Sequence, residues 1–204
     1  MGINEILNNI LHVEHGFQHI IDGADEIFSA NSKEQCFEVA LELFRNDAYQ
    51  ARMLATTILG RLAIEDNDAL RFLKEQVSTD KNWRVQEMLA KAFDEICKNR
   101  GYDKCFCLIE NWLDDDNPNV VRAVTEGLRI WTSRPFFKEN PSLAIALIAK
   151  HKAHESEYLR KSVGNALRDI SKKHSELIRN EVQQWDLSNP QILFTYKLAE
   201  KLLK

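Results

Sequence analysis

The sequence predicts an all-α protein, an α-solenoid of helical hairpins stacked in series, on three observations. Apolar residues recur every three or four positions along nearly the whole chain. Glycine and proline number only seven and four in 204 residues, too few to punctuate a protein of strands and hairpins. A polar, capping-type cluster followed by an apolar helical run recurs at Asp47–Arg52, Asp80–Val85, Asp116–Arg122 and Glu155–Lys161. Aligned on the cores Leu89-Ala90-Lys91-Ala92, Val124-Thr125-Glu126-Gly127 and Val163-Gly164-Asn165-Ala166, the segments put Glu87, Arg122 and Lys161 in one column. The intervals are 35 and 39 residues, the period of a helical-hairpin solenoid. Equivalent positions in such a stack line one face, so an acid followed by two bases reads as a site rather than as core.

In chain order, the helix pattern is carried by Phe37-Ala40-Leu41-Phe44, Leu54-Ile58-Leu62, Leu70-Leu73-Val77 and Leu89-Phe93-Ile96-Cys97. It continues through Val120-Val124-Leu128-Trp131, Leu143-Ala146-Leu147, Val163-Leu167-Ile170 and Ile192-Tyr196-Leu203. Breaks fall at Glu65–Asp68, Ser78–Asp80, Asn99–Tyr102, Asp114–Pro118 and Ser188–Pro190. Pro118, Pro141 and Pro190 each follow Asn and open an apolar stretch, the helix-start use of proline. About a dozen short helices result. No Gly/Ser/Pro linker interrupts them, so residues 1–204 read as one repeat domain, with residues 1–32 a divergent acidic N-terminal cap.

Hydrophobic residues at 44% and charged residues at 28% are ordinary for a soluble chain. No apolar run approaches the roughly 18 residues that span a bilayer, and residues 1–5 do not begin a secretory signal. The expectation is a cytoplasmic monomer with no membrane partner. Cys36, Cys97, Cys105 and Cys107 read as reduced thiols packed as small hydrophobes. The net charge of −4 is unevenly distributed: residues 1–117 hold 12 Lys/Arg and 22 Asp/Glu, whereas residues 118–173 hold 11 and 5. That asymmetry points to an anionic partner on the basic side, or else to bases that only solvate helix faces.

Trp83 and Glu87 stand four apart, on one face of a helix whose apolar set is Val85, Leu89, Ala92, Phe93 and Ile96. On that flank an indole and a carboxylate can receive a cation. The bland reading is a Trp packed on the previous repeat beside a solvated Glu. Arg122, Arg129, Arg134, Arg160, Lys161, Arg168, Lys172 and Lys173 form a basic set suited to phosphates, or a solvated face bridged internally to Glu126 and Asp169. His12, His15 and His19 at i, i+3, i+7 would need Asp22 to complete a metal site, and we expect neither metal nor cofactor. No glycine-rich phosphate loop or nucleophile–histidine pair is present.

The Val/Leu-Arg/Lys-x-x-Val pattern followed by Ala-Leu resembles HEAT repeats, an armadillo-type superhelical array whose inner helices line a concave groove. More specifically, residues 33–185 resemble the AlkD-like family of HEAT-repeat DNA alkylation-repair proteins. In that family a Trp and an Asp lie four apart on an inner helix, the next repeat supplies an Arg, and the one after supplies a Trp in Lys-Ala-Ile-Gly-Trp. Trp83, Glu87 (for the Asp) and Arg122 in Asn119-Val120-Val121-Arg122-Ala123 match. Lys161-Ser162-Val163-Gly164-Asn165 departs, with Asn165 in place of the tryptophan. The resemblance implies a groove that grips phosphates around a cationic alkylpurine, tryptophans that cradle the deoxyribose, and a carboxylate that stabilises the oxocarbenium charge. The resemblance implies catalytic roles for Trp83 and Glu87, and Arg122, Arg160, Lys161, Asn165, Arg168 and Lys172 are the expected DNA contacts. The family's glycosylases also begin with Phe-Leu-Gly-Ile/Val and basic residues that capture the duplex. Residues 1–32 are acidic instead, as in a shorter branch without those helices.

The leading expectation is therefore an AlkD-like protein that binds double-stranded DNA, damaged or branched, with base excision weak or lost. The enzyme alternative is a working DNA glycosylase that releases 3- or 7-alkylpurines. The scaffold alternative is a HEAT-type protein-interaction module with no DNA role, whose acidic first half binds a basic partner.

Overall fold

The computed structural model describes residues 2–203; among them it contains twelve α-helices, three short 3-10 turns and no strand. The chain divides into two compact units, Met1–Asn99 and Arg100–Lys204.

The first unit comprises α1 (Ile3–Leu11), α2 (Gln18–Ala30), α3 (Lys33–Phe44), α4 (Tyr49–Leu62), α5 (Asn67–Glu75) and α6 (Trp83–Arg100). Ser32 and Gln35 form a reciprocal capping box that starts α3, and Asp66 accepts from the backbone N–H groups of Asp68 and Ala69 at the start of α5. Helices α2, α3 and α5 all pack on α4. Its buried positions therefore run around the helix, with Met53, Thr56 and Gly60 enclosed as well as the stripe Ala51, Leu54, Ile58 and Leu62. Gly60 lets α6 approach: a Cβ there would stand 2.6 Å from the Cβ of Ala92. Helix α6 buries the whole apolar set that its period picks out, with Val85, Leu89, Phe93 and Ile96 fully enclosed.

The second unit comprises α7 (Phe106–Leu113), α8 (Pro118–Gly127), α9 (Pro135–Glu139), α10 (Pro141–Ala149), α11 (Glu157–Val182) and α12 (Pro190–Ala199). Its core gathers Trp112, Trp131 and Phe137, all fully buried, with the Trp131 and Phe137 rings 4.9 Å apart. Helix α11 packs against α8, α10 and α12 and kinks at His174, whose backbone leaves the helical region. Gly164 admits α12, because a Cβ there would meet Leu198 Cβ at 2.6 Å and the Thr195 carbonyl at 2.9 Å. Pro118, Pro141 and Pro190 each open a helix as expected, and Asn117 and Asn189 cap theirs; Asn140 makes no side-chain cap.

Three local readings change. Helix α8 stops at Gly127, and Trp131 begins a 3-10 turn after Ile130 takes a left-handed φ of 52°. The apolar series through Val120 and Trp131 therefore crosses two elements. Helix α10 buries Ala144, Ile145, Leu147 and Ile148 and leaves Ala146 exposed, because nearly every residue in it is apolar and its period selects no face. His12, His15 and His19 do not share a helix: α1 ends at Leu11, and the chain turns at Gly16, with φ 87°, before α2. Among the described residues no three His, Cys, Asp or Glu are grouped to hold a metal. Cys36, Cys97 and Cys105 are buried, while Cys107 is exposed.

The turn after α10 carries a titration signature. Burial pushes His151 down to about 4; neighbouring His154 pushes the same way, Asp114 pulls upward, and Lys150 adds a smaller push down. Its Nε2 lies buried without a hydrogen-bond partner. The folded value lies below the unfolded one, so the unfolded chain takes the proton first. The stability this neutral imidazole contributes is present above pH 6.5 and is lost as pH falls towards 4. After discounting for partial exposure, the loss is roughly 2 kcal/mol. Urea unfolding from neutral pH down to about pH 4.5 should show it, and His151→Gln should flatten the profile; an unchanged profile would remove His151 as the cause.

Candidate nucleic-acid interface

In the first unit, Trp83 opens α6 outside the core, with 54% of its surface exposed. Asn82 accepts the Arg84 backbone N–H, and Asp80 accepts that of Asn82, which fixes where the helix starts. Glu87, one turn on, is half-buried on the same flank. The Arg84 guanidinium lies 4.5 Å from the Trp83 ring centroid and 5.1 Å from that of Tyr49, so a cation already stands against both rings. Further along this flank, Met88, Lys91, Ala92 and Glu95 border an open cleft of about 210 Å³ with Ile21, Thr57, Gly60 and Arg61.

Arg160, one of the expected DNA contacts, instead holds a turn together, as Arg52 and Gln86 do at the starts of their own helices. Arg52 donates from Nη1 to the carbonyls of Asn46 and Asp47, at 2.9 and 2.7 Å, and pairs with Asp80. Gln86 donates from Nε2 to the carbonyls of Val77, Ser78 and Asp80. Arg160 donates from Nη1 to the carbonyls of His154 and Glu155 and stacks over Phe194 at 5.3 Å. Each clips the turn before its helix by donating to backbone carbonyls there. Arg122 matches them in burial: it is 4% exposed, as is Gln86, against 8% for Arg160, and its guanidinium lies 4.1 Å over the Tyr158 ring. Arg122 is thus as buried as Gln86 and Arg160, whereas Glu87 and Lys161, which share its column in the sequence, are half-buried and exposed.

Lys161, Asn165, Arg168 and Lys172 lie four, three and four residues apart on α11, which places them on one side over about 16 Å of helix. Lys161 and Lys172 are exposed, and Asn165 and Arg168 half-buried. The core set Val163, Leu167 and Ile170 takes the other side. Beneath the stripe Asp169 is buried. Its Oδ2 accepts from Arg129 Nε at 2.9 Å, and its Oδ1 from Lys172 Nζ at 2.9 Å and Arg168 Nη2 at 3.4 Å. Arg129 also reaches Glu126 at 3.4 Å. Burial pushes the Asp169 carboxyl upward, but the hydrogen bonds of Lys172 and Arg129 and the charges of Arg129 and Arg168 hold it below the ordinary value. The stripe therefore combines exposed cations with the internal bridges that the sequence offered as its alternative.

The comparisons bear directly on this arrangement. The sequence model of the family described as "DNA alkylation repair enzyme" matches residues 19–194. This chain belongs to that family. Among solved structures, AlkD2 from Streptococcus mutans is 46% identical, with a TM-score of 0.95 over 99% of this chain and 97% of that one. Alkylpurine DNA glycosylase AlkC from Pseudomonas fluorescens, solved bound to DNA containing an abasic site analog, is 20% identical, with a TM-score of 0.71 over 92% of this chain and 52% of its own. Uncharacterized protein YhaZ from Bacillus subtilis is 35% identical over 105 residues, which span 50% of this chain and 29% of that protein. The fold is that of the HEAT-like repeats of AlkD2 and AlkC.

Within this DNA alkylation-repair chain, sequence reasoning missed Tyr49, Arg84 and Tyr158. The first two meet across separate helices and carry no spacing signal. Asp169 was legible only as an ion-pair partner, through its place beside Arg168 and three residues before Lys172.

Proposed function

We propose that this protein binds double-stranded DNA, damaged or branched, through the Lys161–Lys172 side of α11, with base excision weak or lost. The carrying observation is that stripe: two exposed lysines and a half-buried arginine on one side of a helix, the residue types that contact phosphate oxygens. The DNA-bound state of AlkC supports duplex DNA as the partner class. Weak excision is supported by Asn165, a residue with no aromatic face for a sugar, and by Arg84, whose charge occupies the face of Trp83. In this reading Arg122 and Arg160 shape the repeat, and Lys161, Asn165, Arg168 and Lys172 meet the backbone.

A second reading, retained excision of 3- or 7-alkylpurines, is favoured by the exposure of Trp83 with Glu87 one turn away. A carboxylate there would stabilise the oxocarbenium charge as the base departs. Release of 7-methylguanine and 3-methyladenine from methylated duplex, under single turnover with excess protein, separates the two. We expect release at or near the spontaneous rate and no effect of Glu87→Gln. Faster release, lowered by Glu87→Gln on the order of 100-fold, would establish the enzyme instead.

A further inference from the structure

We infer that Asp169 is the organising anion of a phosphate clamp: it holds Arg129, Arg168 and Lys172 together so that the three cations receive one stretch of DNA backbone. The inference rests on the DNA-binding reading above and assigns that site its geometry.

The carboxylate is 6% exposed, whereas the side chains of Arg129, Arg168 and Lys172 are 42%, 25% and 55% exposed. A buried carboxylate needs one well-placed cation to offset its desolvation. Here it collects three, from the segment just after α8 and from two turns of α11, and Glu126 adds a second negative charge beside Arg129. These three cations outnumber the two carboxylates that they bridge, and their side chains remain accessible. Each guanidinium has five N–H donors in a planar fork, so the bonds to Asp169 fix its plane and leave donors for a second oxyanion.

The backbone supplies an independent observation. Ile130, directly after Arg129, sits at φ 52°, where a β-branched residue is strained. The strain is held in place by Trp131, which is fully buried and donates from Nε1 to the Thr125 carbonyl at 3.3 Å. A turn kept at this conformational expense ends α8 early and sets Arg129 beside Asp169, as strained backbone does where a side chain must be aimed.

The inference makes a prediction whose sign opposes simple electrostatics. Asp169→Asn removes a negative charge and makes the protein more basic, so an unstructured basic surface would bind DNA more tightly. A clamp with its organiser removed binds more weakly. Fluorescence anisotropy with a labelled duplex at about 50 mM salt, repeated to about 200 mM, is the test. We expect Asp169→Asn to weaken binding by about tenfold and to make the slope of log K against log salt shallower by about one unit. Lys172→Gln, on an exposed side chain, should do much the same alone and add little in the Asp169→Asn background. A parent that binds while Asp169→Asn binds as tightly or more tightly overturns the clamp alone. A parent that fails to bind at the lowest salt overturns the DNA reading and the clamp together. If Asp169→Asn does not fold, Lys172→Gln decides: an unchanged affinity and slope would count against the clamp.

Discussion

Arg160→Ala is expected to lower the free energy of unfolding by about 3 kcal/mol, through loss of charge-assisted hydrogen bonds and of a ring contact. Arg160 is 8% exposed and clips the carbonyls of His154 and Glu155 at the entrance to α11, with its guanidinium over Phe194. Truncation leaves two carbonyls without their donor and removes the cation that ties the turn to α12. For a chain of this size the loss corresponds to a fall in Tm of about 10 °C. Arg160→Lys should recover less than half of it, since an ammonium cannot span the fork. Thermal and urea unfolding of the three proteins checks this; an alanine variant as stable as its parent would show that the turn holds without Arg160.

Lys161→Glu should do the reverse, weakening DNA binding by about tenfold at low salt and lowering the salt slope by about one. Its unfolding free energy should stay within about 0.5 kcal/mol of the parent, as for an exposed substitution away from the core. Lys161 is exposed on α11, one residue from buried Arg160. A 100° step round the helix separates a turn clip from a phosphate contact. Measuring affinity and stability on the same preparations is essential, because changing Arg160 and Lys161 together would confound unfolding with lost contacts. Unchanged affinity in a folded Lys161→Glu protein would remove this side of α11 from the interface.

That pair also explains how far the sequence could be read. The all-helical class, the proline-led starts at Pro118, Pro141 and Pro190, and the buried set of α6 follow from local chemistry, and local chemistry is what a sequence states directly. The placement of Trp83 on a flank was legible because the apolar period of α6 excludes it. The burial of the polar positions was not: Arg122 shares a column with exposed Lys161 in the sequence, yet it is as buried as Gln86. Nor does a sequence distinguish a cation that turns back to the carbonyls behind it from one that faces water, since both follow the same polar cluster. Helix α10 shows a different limit: where nearly every residue is apolar, the period carries no information about the buried face. The left-handed Ile130 shows another, because a β-branched residue gives no sign of a turn that only the anchored Trp131 sustains.

The salt dependence of equilibrium binding to an undamaged and a branched labelled duplex, measured with the full chain, tests the central claim most directly. Three cations on one side of α11 predict an affinity that falls linearly in log–log form with a slope of roughly −3 between about 50 and about 200 mM salt. No binding at the lowest salt, or binding indifferent to salt, would contradict a DNA interface and favour a protein partner for these repeats.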